Sequence, residues 1–278
     1  MTDVAAMVAT ACGRPVADVR AVPGGDICAA WRVRFADGSV GFAKTFSGDT
    51  AMFDAESRSL TWLARAGAPV PSVLSVGPEV LVLSWLSAAA PTVAAAERFG
   101  RELAGVHGAG ADRFGADWPG YAGRLRLGNE AARTWAEFFA ATRLLPLIRQ
   151  AADAGALPEP APLERVAARL AELAGPPEPP ARLHGDLWGG NLLWSADRVW
   201  LIDPAAYGGH RETDLAMLDL FGAPHLDRIV AAYDEATPLA DGWRSRIGLH
   251  QLHPLLAHAV MFGGGYGVRA EAIARRYA

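Results

Sequence analysis

Two acids and an amide in the second half of the chain constrain its fold more than any other feature. The sequence HGDLWGGN occupies residues 184–191, and IDP follows at residues 202–204. Asp186, Asn191 and Asp203 therefore stand at offsets of 0, 5 and 17 residues. Carboxylate and amide oxygens are hard ligands of the kind that Mg²⁺ prefers. This order suits the placement of a hydroxyl nucleophile and Mg²⁺ against a nucleotide phosphate.

The protein-kinase catalytic loop has the same Asp-to-Asn spacing and a metal-binding Asp on the next hairpin. By this comparison Asp186 is the predicted catalytic base, which accepts the proton of the attacking hydroxyl. Asn191 and Asp203 are the predicted metal ligands. Another interpretation is that these are ordinary turn residues, because Asp, Gly and Asn are common in turns. The apolar runs at residues 181–183 and 199–202 favour the catalytic interpretation.

Lys44 is the only lysine among the 26 basic residues of the chain. Residues 32–35, the Asp-Gly turn at 36–39 and residues 40–44 predict a β-hairpin that ends at this lysine. Arginine cannot simply replace lysine where a compact charge must reach two phosphate oxygens. Lys44 is therefore the predicted phosphate-binding lysine, with a surface lysine retained by chance as the alternative.

A helix predicted over residues 51–66 carries the expected partner of this lysine. Phe53, Leu60 and Leu63 give the segment an apolar stripe at helical spacing. Glu56 lies twelve residues after Lys44 and is predicted to pair with it and hold it over the phosphates. The alternative for Glu56 is a solvated helix acid.

Two further segments are candidates for nucleotide contacts. Residues 23–26 (PGGD) form a predicted turn in which Gly24 and Gly25 would close over the phosphates. This turn lacks the G-x-G-x-x-G pattern, so an ordinary tight turn explains it equally well. Residues 80–86 predict a buried strand that runs into a linker, and adenine would bond to backbone groups around Ser84 and Leu86.

The sequence YGGHRETDLA at residues 207–216 predicts the opening of a helix. Asp214 in its first turn is expected to accept hydrogen bonds from the backbone around His184 and so to brace the catalytic loop. An interaction with the helix dipole is compatible with that role. The preceding residues are candidates for substrate contacts: His210, Arg211 and Glu212.

Upstream, residues 130–152 predict a helix with an interruption at Pro146.

Composition narrows the class of protein. A chain of 278 residues is longer than one typical domain, which favours two lobes. The net charge is −4 and the basic residues are scattered, so no nucleic-acid partner is expected. No apolar run reaches the length of a membrane span, and residues 1–13 lack a basic signal region. Cys12 and Cys28 have no metal-ligand spacing, which favours a reduced, cytoplasmic protein.

These motifs together resemble the fructosamine kinase (ketosamine-3-kinase) family, in the aminoglycoside-phosphotransferase branch of the protein-kinase-like fold. The H-G-D-x4-N element is shared by the whole phosphotransferase group. Trp188, the run at residues 207–216 and the sequence FGGGY at 262–266 point to this family. The resemblance implies an α+β, bilobal protein-kinase-like fold. Its lobes would be a small one at 1–86, with an antiparallel sheet and one main helix, and a larger, mostly helical one at 87–278.

The resemblance also implies ATP and Mg²⁺ as cofactors and a ketosamine as substrate. The acceptor would be the sugar 3-hydroxyl of a free or protein-bound glycated amine, with Trp188 as a substrate contact. The sequence departs from the family at Ser84, because the family normally has an acidic residue at this hinge position. This difference affects the expected affinity for the nucleotide. Two alternatives stay open: a kinase of this fold acting on another hydroxylated small molecule, and a noncatalytic nucleotide-binding module.

Overall fold

The computed structural model describes residues 4–23, 27–48 and 51–278. Its amino-terminal part is an antiparallel sheet of five strands in the order β1-β2-β3-β5-β4. The elements here are α1 (Val4–Cys12), β1 (Val16–Ala21), β2 (Ala29–Phe35), β3 (Val40–Thr45), α2 (Ala51–Ala64), β4 (Val73–Gly77) and β5 (Val80–Ser84). The expected small lobe, with an antiparallel sheet and one main helix, is present. The short helix α1 covers one face of the sheet.

The β2–β3 hairpin forms where its turn sequence predicts it. Gly38 has φ 85°, a conformation that costs glycine little because it has no Cβ. The Phe35 amide donates to the Ser39 carbonyl oxygen at 2.9 Å and closes the turn. Ala43 then packs on the α1 side of the sheet. Because side chains alternate along a strand, Lys44 points to the opposite face, toward α2.

A shared apolar cluster holds α2 against both parts of the molecule. Phe53 and Leu60 of α2 pack with Leu81 of β5, and the same cluster continues to Phe99 and Leu187 beyond the sheet. A continuous buried core therefore joins the sheet to the carboxy-terminal part. It fixes the helix that carries Glu56.

The carboxy-terminal part is mostly helical. Its helices are α3 (Val93–Gly108), α4 (Trp135–Phe139), α5 (Leu145–Asp153), α6 (Ala161–Ala168), α7 (Leu170–Leu173), α8 (Glu212–Phe221), α9 (Leu226–Ala236), α10 (Trp243–Phe262) and α11 (Tyr266–Ala274). Its strands are β6 (Gly120–Ala122), β7 (Leu125–Leu127), β8 (Ala181–Leu183), β9 (Leu192–Trp194), β10 (Val199–Leu201) and β11 (Tyr207–Gly209). No helix in the described part of the chain has the length and apolar character needed to cross a membrane.

The helix predicted over residues 130–152 begins later and is divided. Thr134 caps α4 in a reciprocal capping box with Glu137, which sets the observed start. A π-helical turn over Ala140–Leu144 separates α4 from α5, and Pro146 lies in the first turn of α5. Proline has no amide hydrogen and its ring crowds the carbonyl four residues earlier, which accounts for the interruption there.

Short antiparallel ribbons flank the segments that carry Asp186 and Asp203. Strand β9 pairs with β10, and β11 pairs with β8 with Tyr207 opposite Leu183. The prediction that residues 207–209 open a helix is therefore wrong, because pairing with a distant strand decides their conformation. Helix α8 begins at Glu212, so Asp214 does lie in its first turn.

Candidate active site

Lys44 lies at the centre of a charged cluster between the sheet and the carboxy-terminal part. Its Nζ donates to Oε1 of Glu56 at 2.7 Å and to Oδ1 of Asp203 at 2.6 Å. Strand β3 supplies the lysine, α2 the glutamate, and the segment after β10 the aspartate. The predicted Lys44–Glu56 pair is present. The structure adds Asp203 as a second partner, 159 residues along the chain from the lysine.

The charges of this cluster keep Lys44 protonated. Burial alone would lower the pKa of Lys44, but the carboxylates of Asp203 and Glu56 outweigh burial and raise that pKa. The two carboxylates differ in exposure, since the Glu56 side chain is 11 % exposed and that of Asp203 is 47 % exposed. Glu56 is therefore the fixed partner of the ammonium, and Asp203 is the partner that faces solvent.

Asp203 adopts a left-handed backbone conformation, with φ 56°. Aspartate tolerates this region better than most residues, and such conformations concentrate at functional positions. Two backbone hydrogen bonds fix the turn around it. The Ile202 amide donates to the Asn191 carbonyl oxygen at 3.1 Å, and the Ala205 amide donates to the His184 carbonyl oxygen at 3.0 Å. The turn is thereby tied to the catalytic loop.

Within the catalytic loop, Asn191 holds Asp186. Nδ2 of Asn191 donates to the Asp186 carbonyl oxygen at 2.8 Å and to Oδ2 of the same residue at 3.0 Å. Because the amide nitrogen makes both of these bonds, the Oδ1 atom of Asn191 keeps its lone pairs for another partner. The loop and the turn at Asp203 together present the carboxylate and amide oxygens that the sequence predicted.

The environment of Asp186 suits a general base. Burial and, to a smaller extent, the negative charges of Asp203 and Asp214 raise the pKa of Asp186 to about 7, against the hydrogen bond from Asn191. A base titrating near neutral pH combines a useful deprotonated fraction with a useful proton affinity. The role of Asp186 as catalytic base stays a prediction.

Asp214 braces the catalytic loop from behind. Its carboxylate accepts hydrogen bonds from the His184 amide at 2.8 Å and the Gly185 amide at 3.0 Å. Gly185 has φ 82°, and a Cβ there would lie 2.2 Å from the Ala205 carbonyl oxygen. The loop therefore requires glycine at this position. The predicted contact between Asp214 and the backbone around His184 is present.

A buried histidine extends this support. Nε2 of His107 lies 3.1 Å from Oδ2 of Asp214, and Nδ1 of His107 lies 2.8 Å from the Tyr233 hydroxyl. Since a carboxylate only accepts, the histidine donates from Nε2 and accepts from the tyrosine. Burial alone would raise the pKa of Asp214, but the hydrogen bonds from His107 and from the Gly185 amide lower it. Asp214 is therefore held as a carboxylate.

Asp214→Asn is expected to destabilise the fold and slow turnover together. The side-chain NH2 group must replace one of two accepting oxygens, leaving a buried donor unpaired, a loss of roughly 1–3 kcal/mol. Urea unfolding and kcat measure the two effects. Asp219→Asn, on the exposed side of the same helix, is the matched control and should change neither by much. Unchanged stability and kcat in Asp214→Asn contradict the bracing role.

The predicted nucleotide positions are partly described. Ser84 ends β5, donates its amide to the Ser72 carbonyl oxygen at 2.8 Å and accepts from the Ser72 amide at its Oγ at 3.0 Å. Leu86 follows in the linker, partly buried. Gly24 and Gly25 lie outside the described residues. The adenine contacts and the glycine turn stay predictions.

The residues predicted to contact substrate separate into two groups. Trp188 lies on the catalytic loop and is 41 % exposed. The others are held by partners in the carboxy-terminal part: His210, Arg211 and Glu212. Arg211 donates to Glu178 at 2.8 and 2.7 Å, and both oxygens of Glu212 accept from Arg246, at 2.6 and 2.9 Å. This geometry favours a structural role for His210, Arg211 and Glu212. Of the four candidate substrate contacts, Trp188 is the most exposed to solvent.

The same network brings potential metal ligands together. His210, Glu212 and His250 place ligand atoms within 4.8 Å of one another. Burial would raise the pKa of Glu212, but hydrogen bonds from His250 and Arg246 hold it at about 2. A metal ion would have to displace a guanidinium that already binds both carboxylate oxygens. The cluster therefore supports the start of α8, the helix that carries Asp214.

Sequence reasoning missed two parts of this site. His107 and Tyr233 give no local signal, because each is one polar residue in a helix and they meet only when α3 packs on α9. The β6–β7 hairpin was also missed. Its turn places Arg124 over the Phe46 ring, with the guanidinium carbon 5.2 Å from the centroid. The turn therefore lies close to the end of β3, the strand that carries Lys44.

Comparisons with known proteins agree with this geometry. The family model described as fructosamine kinase matches residues 1–278. A protein of Thermus thermophilus, described as a probable ketoamine kinase, is 36 % identical over 249 residues, which cover 87 % of each chain. A crystal structure from Thermobifida fusca, provisionally named a fructosamine-3-kinase, is 49 % identical with a TM-score of 0.93 and covers 99 % of this chain and 98 % of that one. The chain belongs to the fructosamine kinase family.

More distant structures define the fold of this chain. An aminoglycoside phosphotransferase solved with streptomycin and ATP has a TM-score of 0.68 at 12 % identity, covering 99 % of this chain and 96 % of that one. At this identity the likeness shows the fold alone. The chain therefore has the predicted bilobal, protein-kinase-like fold, and it is a phosphotransferase with an alcohol group as acceptor.

Proposed function

We propose that this fructosamine kinase uses ATP and Mg²⁺ to phosphorylate the sugar 3-hydroxyl of a ketosamine such as fructosamine or ribulosamine, free or protein-bound. The observation that carries the proposal is the convergence of four groups on one cleft. Lys44 lies 2.6 Å from Asp203, and Asn191 lies 3.0 Å from Asp186 on the loop tied to the Asp203 turn. The relatives named as ketoamine kinases support the acceptor class.

The donor set fits a magnesium–nucleotide complex. Asp203 offers a half-exposed carboxylate, and Asn191 offers an Oδ1 atom whose amide nitrogen is engaged elsewhere. Both are hard oxygen ligands. The Lys44 ammonium lies next to the Asp203 carboxylate. Asn191 and Asp203 would hold the ion, and Lys44, oriented by Glu56, would pair with the phosphates. When bound, Mg²⁺ neutralises charge that develops on the β- and γ-phosphates.

The transfer itself requires positioning and one proton acceptor. Asp186 accepts a hydrogen bond from the acceptor hydroxyl and aims its oxygen at the γ-phosphorus. The new O–P bond forms as the bond to the β–γ bridging oxygen breaks, ADP leaves, and the hydroxyl proton passes to Asp186. The Lys44 ammonium offsets charge on the phosphates. Orientation and fixed electrostatics of this kind account for large rate enhancements.

The proposal also includes the remaining nucleotide contacts. Adenine is assigned to backbone groups around Ser84 and Leu86, where β5 ends and the chain leaves the sheet. Gly24 and Gly25 are assigned to the turn over the phosphates. The lobe boundary is placed after Leu86, which gives lobes of residues 1–86 and 87–278.

The proposed base makes activity pH-dependent. Because burial raises the pKa of Asp186 to about 7, half of the free enzyme carries a protonated base near that pH. The value of kcat/KM for MgATP, which reports the free enzyme, is expected to fall about tenfold per pH unit below neutrality and to level off above it. The corresponding fall in kcat should occur at a lower pH. The positive charge of bound Mg²⁺ would favour the carboxylate form of Asp186 and so lower its pKa in the enzyme–substrate complex. A profile flat between about pH 5.5 and 8 contradicts Asp186 as the base.

An acceptor screen tests the proposed function. ADP release by the purified protein with MgATP is measured with fructosyl-lysine, ribulosyl-lysine, free sugars and a panel of aminoglycosides. The proposal expects the ketosamines to be the best acceptors, with phosphate on the 3-oxygen by NMR. Preference for an aminoglycoside or free sugar supports another acceptor for the same fold. Failure to release ADP with any of these acceptors supports a noncatalytic nucleotide-binding module.

A further inference from the structure

A row of aromatic rings leads away from the catalytic loop. It comprises Trp188, Phe221, His258, Phe262 and Tyr266, which come from the loop, α8, α10 and α11. The Trp188 and Phe221 centroids are 6.1 Å apart, those of Phe221 and His258 4.9 Å, and His258 lies 5.5 Å from Phe262 and 5.1 Å from Tyr266. The row therefore runs from Trp188 through Phe221 to His258, where it branches to Phe262 and Tyr266. It begins two residues after the proposed base.

The two ends of the row are open to solvent. Phe262 is 62 % exposed and Trp188 is 41 % exposed, and both are among the most exposed large apolar side chains in the described part of the chain. The other three rings, Phe221, His258 and Tyr266, are partly buried. One ring suffices to stack on one face of a sugar held at Asp186. The other rings extend from Trp188 along α8, α10 and α11, away from the catalytic loop.

His258 gives the row a directed hydrogen-bond acceptor. Its Nδ1 lies 2.7 Å from the Pro254 carbonyl oxygen, so Nδ1 carries the proton and donates. Burial lowers the pKa of His258, against that backbone hydrogen bond, and keeps the ring neutral near pH 7. Nε2 therefore presents a lone pair, and no hydrogen-bond partner occupies it among the described residues. A protonated amine could donate to it while aromatic faces attract the same charge.

We propose that this aromatic row is the subsite for the amine side of the ketosamine, where His258 Nε2 accepts from the protonated amine and the rings stack on its substituent. The inference rests on the proposed ketosamine kinase function and deepens it. It specifies a substrate class: ketosamines with an aromatic or bulky apolar amine substituent should react better than those with a small one. Free sugars, which lack the amine, should be poor acceptors.

The test compares two acceptors that share one sugar, 1-benzylamino-1-deoxyfructose and 1-methylamino-1-deoxyfructose. The wild-type protein is expected to favour the benzyl compound in kcat/KM by roughly tenfold, since an aromatic contact is of that order. Phe262→Ala should abolish most of this preference through KM, with kcat and the methyl compound changed by less than about twofold. Val268→Ala is the matched control, because Val268 is also exposed, on α11, and lies outside the row.

The outcomes separate this inference from the proposed function. If the wild-type protein phosphorylates neither compound, the proposed function is overturned and the inference falls with it. If it phosphorylates both without preference, or if Phe262→Ala keeps the wild-type preference, the inference alone is overturned. An equal loss in Val268→Ala also overturns it, because the effect would then come from α11 packing. Because Phe262 is exposed, its truncation leaves the fold intact, and a thermal melt verifies this.

Discussion

Asp186→Asn is expected to lower kcat by roughly 10²–10⁴-fold while MgATP still binds with near wild-type affinity. The variant keeps the size of the side chain and an oxygen that can accept from Asn191, which lies 3.0 Å from Oδ2 in the wild-type protein. It loses the capacity to accept a proton. Lys44 and Asp203 hold each other without help from Asp186, so the proposed phosphate and metal groups should stay in place.

Single-turnover phosphoryl transfer and calorimetric nucleotide binding separate these effects. Asp197→Asn is the matched control, since Asp197 is an exposed acid in the turn between β9 and β10. It should retain wild-type kcat. Wild-type turnover in Asp186→Asn would remove this residue from the role of base. Loss of both turnover and nucleotide binding would instead make it part of the nucleotide site.

The parts of the fold that the sequence predicted are those determined locally. The Asp-Gly turn fixes the β2–β3 hairpin, and the alternation along β3 directs Lys44 toward α2. Helical spacing places Glu56 on the same helix as the buried Phe53 and Leu60, so the ion pair at 2.7 Å follows from two short patterns. The catalytic loop is likewise a short segment whose chemistry depends on its spacing.

The features that the sequence did not predict depend on partners far along the chain. Residues 207–209 pair with β8, and no property of those three residues selects strand over helix. His107 and Tyr233 meet because two helices pack together. The burial of Glu212 against Arg246 also results from the packing of two helices. Glu212, a candidate substrate contact in the sequence, is therefore a member of a buried ionic network. Tertiary contact decides such positions, and a single sequence carries no record of it.

Lys44→Arg is expected to lower kcat/KM by roughly 10²–10³-fold, the scale of losing one electrostatic contact to a developing charge. The lysine side chain is almost fully buried between Glu56 and Asp203, and its ammonium lies within 2.7 Å of both. A guanidinium is planar and larger, so it cannot take the same position and still reach two phosphate oxygens. Because arginine keeps the positive charge, neither carboxylate is left unpaired and the protein should remain folded.

This charge-conserving change therefore isolates geometry from charge. Arg34→Lys is the reciprocal control, because Arg34 is an exposed cation on the neighbouring strand β2. Arg34→Lys should retain wild-type kcat/KM. This result would show that exchange of arginine and lysine elsewhere in the sheet does not change activity. Steady-state kinetics with varied MgATP and a thermal melt complete the comparison. If Lys44→Arg is folded and its kcat/KM is close to that of the wild type, the reaction does not need a compact ammonium at this position. The proposed contact between Lys44 and the phosphates is then wrong. If the loss is as large as expected with an unchanged melting temperature, the compact ammonium is what the reaction needs. That result would account for the single lysine in a chain that otherwise uses arginine.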